Sequence, residues 1–262
     1  MTTSKPKISI ITINYNNADG LRQTIQSVLG QIYTAIEYIV IDGASTDESP
    51  LVLEEFRPNL AYALSEADAG IYNAMNKGIK VATGDYLLFL NSGDKLLNTD
   101  TIEQVVANGM EADLVYGDLL FFDGVKEWTW NLPETLTFQT FYTSTIAHPS
   151  TFIKRSLFGT VGLYDEELKI VSDWKFFLLA TARYACTYKH INQVISAYNF
   201  DGISSRPENL SAIEVERAKV LAKEFSLFVP DYEELALLKR EMKKIRYFMK
   251  VRKAVKKIFN QK

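Results

Sequence analysis

A single cysteine, Cys186, stands among the 262 residues, so no internal disulfide can form. Only two histidines, His148 and His190, accompany it, which leaves a structural zinc site without enough ligands. No stretch approaches the roughly 18 consecutive apolar residues of a membrane span. The leading MTTSKPK carries no apolar segment of the signal-peptide kind. Together these absences make the cytoplasm the expected compartment. Three familiar site signatures are missing as well. There is no G-x-G-x-x-G dinucleotide fingerprint, no G-x-x-x-x-G-K-[ST] phosphate loop and no G-x-S-x-G nucleophile elbow.

What is present suits a globular protein with a sizeable core: 47% hydrophobic and 23% charged residues. The net charge of -3 hides an asymmetry. From Lys239 to the end there are eleven Lys or Arg and one acid, Glu241, so the rest of the chain is clearly acidic. An acidic body argues against nucleic acid as a partner.

The first half alternates strand and helix patterns. Apolar, β-branched-rich runs at Ile8–Ile13, Tyr38–Ile41, Leu60–Leu64, Tyr86–Leu90 and Leu114–Tyr116 read as strands. Helical spacing covers Leu21–Leu29, Leu51–Phe56 (starting near Asp47), Ile71–Ile79 and Ile102–Val106. Asp47, Asp100 and Asp19 read as helix caps. Such alternation predicts an α/β fold with a mostly parallel sheet covered on both faces. The second half changes character. Leu119–Trp130 predicts a hairpin turning at Asp123-Gly124. Thr151–Ile153 and Val194–Tyr198 read as strands, and Asp173–Ala182, Glu208–Phe225 and Leu235–Phe259 as helices. Leu132–Ala147 shows no clear period.

Ligands of open α/β sheets bind beyond the carboxyl ends of the strands. Those ends read Asn14-Tyr15-Asn16-Asn17, Asp42 to Asp47, Glu66 to Gly70, Asn91-Ser92-Gly93-Asp94 and Gly117-Asp118. Turn and cap preferences explain many of these residues. Asp94 is different: it follows a five-residue apolar strand through a glycine, where a rigidly held carboxylate suits Mg²⁺ or Mn²⁺.

Four ordered segments then carry a resemblance: ISIITINYNN from Ile8, EYIVIDGASTDES from Glu37, DAGIYNAMNKGI from Asp68 and GDYLLFLNSGD from Gly84. Together they resemble the inverting family-2 glycosyltransferases of the GT-A fold, especially bacterial enzymes that build surface polysaccharides such as colanic acid or O-antigen. The likeness is strong over the first 95 residues and continues more weakly to about residue 205. It implies a GT-A domain over 1–205, with a nucleotide-binding half (1–118) and an acceptor-side half (119–205), and a helical extension over 206–262. It implies roles as well. Tyr15, Asn16, Asp42, Asp68, Lys77 and Asn91 would bind the nucleotide, with Asp42 accepting a hydrogen bond from the base. Asp94 would hold Mg²⁺ or Mn²⁺, and Asp173 would be the catalytic base; apart from the resemblance, His148, before Pro149 in a turn-to-strand context, reads as a contact to the metal or the pyrophosphate. Two departures from the family pattern stand out. Asn91 and Gly93 replace carboxylates of the metal motif, and Ser172 replaces the Glu before the base.

The expected partners are a nucleotide-sugar donor, with UDP favoured by resemblance, and a saccharide or lipid-linked saccharide acceptor. His148 also reads as an ordinary half-buried histidine, Asp173 as a helix cap, and Trp174 as a core residue rather than a sugar platform. Asp165 and Glu166 are fallback bases. The basic, amphipathic segment from Leu235 suits an anionic membrane surface on the inner face of the cytoplasmic membrane, or pairing in a homodimer. Rival functions are a nucleotidyltransferase and an inactive nucleotide-binding module. The first wants basic residues in the first loop, and none precedes Arg22 there.

Overall fold

A computed structural model describes residues 5–122, 126–199, 202 and 205–259, the side chains of 199 and 250–259 excepted. The turn expected at Asp123-Gly124 lies outside the described residues. The elements in order are β1 (Ile8–Asn14), α1 (Ala18–Leu29), β2 (Ile36–Asp42), α2 (Ser49–Phe56), β3 (Tyr62–Ser65), α3 (Ile71–Val81), β4 (Tyr86–Phe89), β5 (Lys95–Leu96) and α4 (Thr101–Ala107). There follow β6 (Leu114–Phe122), β7 (Glu127–Trp130), α5 (Phe138–Thr143), β8 (Thr151–Lys154), α6 (Leu157–Val161), α7 (Ser172–Leu178), β9 (Tyr188–Asn199), α8 (Leu210–Glu224) and α9 (Val229–Phe259).

The strands form one mixed sheet in the order β3-β2-β1-β4-β8-β6-β9-β5, with β7 paired to β6 off this path. β3, β2, β1 and β4 are mutually parallel. β8 is antiparallel to both β4 and β6 and so inserts between two strands of like direction. All of β1 and β4 is buried, as the unbroken apolar runs require for strands covered on both faces. On one face Ile8, Ile10, Val40 and Leu88 pack with Leu21 and Ile25 of α1 and Ile102 of α4. On the other, α3 approaches β1 so closely that a Cβ on Gly78 would meet Ile11 at 2.5 Å.

Parallel register sets the strand ends level: Asn14 pairs with Asp42, and Asp42 with Ser65. The α/β, GT-A-like architecture agrees with the expectation. Several details differ. The Leu114 strand continues through Gly117 to Phe122 and pairs with β7 as the expected hairpin. β5, α5 and α6 are additional. β5 has two residues and α5 rests on a Thr137–Thr140 capping box, too short for periodicity to reveal. Two capping roles are corrected. Asn17, not Asp19, caps α1 through Gly20 N–H, and Asp100 sits at the α4 cap position but bonds Gln104 Nε2 instead.

The structure divides into two compact units, residues 1–216 and 217–262. The second contains all of α9, whose Leu238, Met242, Ile245 and Met249 are exposed. Among the described residues no helix is long and apolar enough to cross a membrane.

At the opposite edge from the strand ends, the Glu37 carboxylate accepts from Lys7 Nζ (2.7 Å), Ser9 Oγ (2.6 Å), and Thr83 N–H (2.7 Å) and Oγ1 (2.5 Å). Burial opposes its ionisation, but these donors outweigh it and hold the carboxyl at about 2. The folded value lies below the ordinary one. The stabilisation is therefore complete above about 4.5 and is lost as pH falls towards about 2. Glu37→Gln should cost roughly 2 kcal/mol at pH 7, after discounting the half-exposed Lys7. Denaturant titrations at pH 7 and pH 3 check this. The penalty should shrink at the lower pH, and a constant penalty would refute the account.

Candidate active site

Three strand ends build one side of the site. The loop after β1 lifts Tyr15 to 69% exposure. Asn16 takes a left-handed conformation (φ 50°), which asparagine tolerates. Its N–H donates to Ser45 Oγ (2.8 Å) and its Oδ1 accepts from Thr46 N–H (2.8 Å), which ties the β1 and β2 loops together. Gly43 follows, and a Cβ there would lie 2.6 Å from Asp68 Oδ2 and 3.2 Å from the Tyr15 ring. Only glycine leaves Asp68 and Tyr15 this close above the backbone. Lys77 Nζ holds the Asp68 loop through Glu66 (2.9 Å) and the Ala67 carbonyl (3.0 Å).

Asp42 is placed differently from its expected role. It is 0% exposed. Its oxygens accept from Asn14 Nδ2 (2.8 Å), Ser45 Oγ (2.6 Å), Ser45 N–H (3.0 Å) and Ser65 Oγ (2.6 Å). Four donors fill the four lone-pair positions of a carboxylate, so none is left for a base. Asp42 is the buried tie beneath the notch, and Tyr15 and Asp68 form its surface.

The Asn91–Asp94 turn forms the second side. Gly93 supplies φ 105°. Thr24 Oγ1 of α1 accepts from Gly93 N–H (3.0 Å) and donates to the Asp94 carbonyl (2.6 Å). Asn17 Nδ2 donates to the Ser92 carbonyl (3.0 Å). Asp94 is buried, with Oδ2 accepting from Asn91 N–H (3.2 Å).

The third side comes from residues far apart in sequence. His148 Nε2 lies 3.2 Å from Asn91 Nδ2, and its Nδ1 lies 3.1 Å from Asp173 Oδ2. Tyr72 O–H donates to Asp173 Oδ1 (2.9 Å), sharing its proton with the Ile170 carbonyl (2.6 Å). One chain of contacts thus runs from Asp94 through Asn91 and His148 to Asp173 and Tyr72. Asp173 sits in the first turn of α7 but does not cap it.

Residues 9–168 match the family profile described as glycosyl transferase family 2. The chain is a family-2 glycosyltransferase. It is 34% identical over 209 residues to a PGL/p-HBAD biosynthesis glycosyltransferase of Mycobacterium tuberculosis, covering 76% of this chain and 80% of the relative. An uncharacterized glycosyltransferase of the same species is 35% identical over 211 residues, covering 79% and 80%. Among solved structures, S. aureus TarS 1-349 in complex with UDP-GlcNAc superposes with a TM-score of 0.63 at 19% identity, over 82% of this chain and 66% of that one. The mannosyltransferase PcManGT from Pyrobaculum calidifontis, in complex with GDP-Man and Mn2+, gives 0.61 at 18% identity, over 87% and 65%. The chain spans about two thirds of each of these two solved chains, and at such identity the likeness concerns the fold.

In this glycosyltransferase the Asp173 carboxyl is 17% exposed and the His148 ring 15%. Burial opposes the charge on Asp173. The His148 hydrogen bond and charge, the Tyr72 hydroxyl and Trp174 N–H outweigh it and hold the carboxyl below its ordinary value. Burial likewise opposes protonation of His148, but Asp173 and the more distant Asp94 charge raise it. The fallback carboxylates are already engaged. Asp165 pairs with Lys175 (2.6 Å), and Glu166 accepts from Asn73 and Asn76 (2.8 Å each). Trp174 is core, with Nε1 donating to the Phe141 carbonyl (2.8 Å). Tyr72 is the residue that sequence reasoning missed. It lies inside a motif of the resemblance, but its apolar helical spacing reads as core.

Removing the Tyr72 hydroxyl tests the network. Tyr72→Phe should raise the Asp173 carboxyl by about one pH unit, the worth of a hydrogen bond to a charged group. A carbon-13 NMR titration of the Asp173 carboxyl reads this, and an unmoved midpoint would contradict the geometry.

Proposed function

We propose that this glycosyltransferase moves a sugar from a nucleoside-diphosphate donor, a UDP-sugar, to an acceptor hydroxyl with inversion. The observation that carries the reading is the side-chain path from the Asn91–Asp94 turn to the Asp173 carboxylate. It joins the place for a diphosphate to a base. Tyr15 and Asp68 receive the nucleoside over Gly43, with Asn16 and Lys77 holding their loops. The incoming hydroxyl passes its proton to Asp173 as its oxygen attacks the anomeric carbon. Among the described residues no second carboxylate stands uncommitted beside Asp173 to act as a nucleophile, which favours direct displacement with inversion of configuration. The TarS structure with UDP-GlcNAc supports a nucleotide-sugar donor.

The turn fits a divalent cation. Asn91 Oδ1 is buried without a hydrogen-bond partner, and the Asp94 carboxylate belongs to the same turn. Both are hard oxygen donors that suit Mg²⁺ or Mn²⁺. His148 would add Nε2 on exchanging its contact with Asn91 Nδ2 for the cation, its other nitrogen oriented by a carboxylate as metal-bound histidines usually are. Among the described residues no three His, Cys, Asp or Glu side chains converge. Phosphate oxygens and water would complete the shell. When bound, the cation offsets charge growing on the departing diphosphate.

We assign residues 1–205 to the transferase proper and 206–262 to an extension. The acceptor reading is a saccharide or lipid-linked saccharide of a surface polysaccharide or glycolipid. In α9 the exposed Leu238, Met242, Ile245 and Met249 lie beside Lys239, Lys243 and Arg246, which suits an anionic membrane.

Asp173→Asn should lower transfer by about 10²–10⁴-fold, the usual share of a general base, and leave the thermal shift induced by UDP with Mn²⁺ intact. Near-normal turnover by the folded variant would remove the assignment. For the extension, co-sedimentation with phosphatidylglycerol-containing vesicles should be lost on truncation after Tyr232. Equal pelleting of both chains would rule out membrane binding through α9.

A further inference from the structure

The β6–β7 hairpin carries more aromatic surface than a sheet edge needs. Phe121 pairs in register with Trp128 on one side and with Tyr198 of β9 on the other. The Trp128 ring stacks on Phe121 at 5.2 Å and 18°, Trp130 at 5.8 Å and 26°, and Tyr198 meets it edge-on at 5.6 Å. Directly paired residues share a face, so the rings form a row across three strands. Phe121 and Tyr198 are largely covered, but Trp128 on the edge strand β7 remains 40% exposed. A rigid row that ends in an exposed indole is the form of a stacking surface.

The row points at the reaction centre. Lys95 of β5 pairs with Ala197, which sets the backbone of Asp94 beside Tyr198. Two residues before Tyr198, and on the same side of β9, Ser196 Oγ donates to the Pro149 carbonyl (2.7 Å). The aromatic row and His148 are therefore attached to one face of the sheet. Strand spacing puts Trp128 about 14 Å from the Asp94 backbone, three strands away. That leaves room for an acceptor chain between them.

We infer that Trp128, backed by Phe121 and Trp130, is an acceptor subsite that stacks a pyranose ring. The apolar C–H face of a pyranose carries partial positive charge and matches the negative face of an indole. A neutral sugar needs no charged partner there, and stacked aromatic rings supply the platform. This rests on the transferase reading for its role, but binding at Trp128 is measurable without turnover.

Saturation-transfer NMR with a panel of methyl glycosides (gluco, galacto, manno and rhamno) tests it on the full chain, with UDP binding measured by calorimetry on the same samples. At least one glycoside should receive saturation on one ring face. The signal should fall at least about fivefold in Trp128→Ala and be largely kept in Trp128→Phe. UDP affinity should be unchanged in both variants. No binding by any glycoside to the native chain, or equal binding by Trp128→Ala, would overturn the subsite. So would a concentration-dependent dimer that Trp128→Ala abolishes without a glycoside signal, since the platform would then hold a second copy. A chain that binds glycosides through Trp128 but not UDP would instead sink the donor reading and leave the subsite standing.

Discussion

Four hydrogen bonds converge on the buried Asp42 carboxylate, and the rim of the sheet depends on them. A carboxylate without water is costly unless donors replace it. Here burial opposes ionisation, and Ser45, Ser65 and Asn14 outweigh it, holding the carboxyl below its ordinary value. The donors come from three segments: the end of β1, the loop after β2 and the end of β3. Strand ends are held level there, although their loops run outward. Tyr15, Gly43 and Asp68 meet above this tie.

The second anchor is Thr24. Through Gly93 and the Asp94 carbonyl it fastens the Asn91–Asp94 turn to α1. The turn in turn meets His148, and His148 meets Asp173. A diphosphate site and a base would therefore be coupled through packed side chains rather than across open solvent. The π-helical turn at 179–183 that follows α7 and the Trp174–Phe141 contact brace the helix that carries Asp173.

The site was only partly legible before its geometry was known. Unbroken apolar runs marked β1, β2 and β4, because strands buried on both faces admit few polar residues. The resemblance then directed attention to Asp94 and Asp173, and the turn before Pro149 to His148; the fold brings the three into one chain of contacts. Asp42 was harder to read. Its aspartate in a turn says nothing about how many donors surround it, and those donors come from Asn14 and Ser65, 28 and 23 residues away. Tyr72 was hidden for a similar reason: a tyrosine at an apolar helix position looks like packing until its hydroxyl finds Asp173, 101 residues later.

By itself the sequence determined the periodic elements, the parallel half of the sheet and the polar character of its carboxyl edge. Those follow from local spacing and from the burial each spacing demands. Only the tertiary structure decided which polar groups reach the surface of the rim and which lie beneath it. It also inserted β8 between β4 and β6 and lined up Trp128, Phe121 and Tyr198 in one row. Such outcomes depend on pairing and hydrogen bonds between distant segments, which no local pattern encodes.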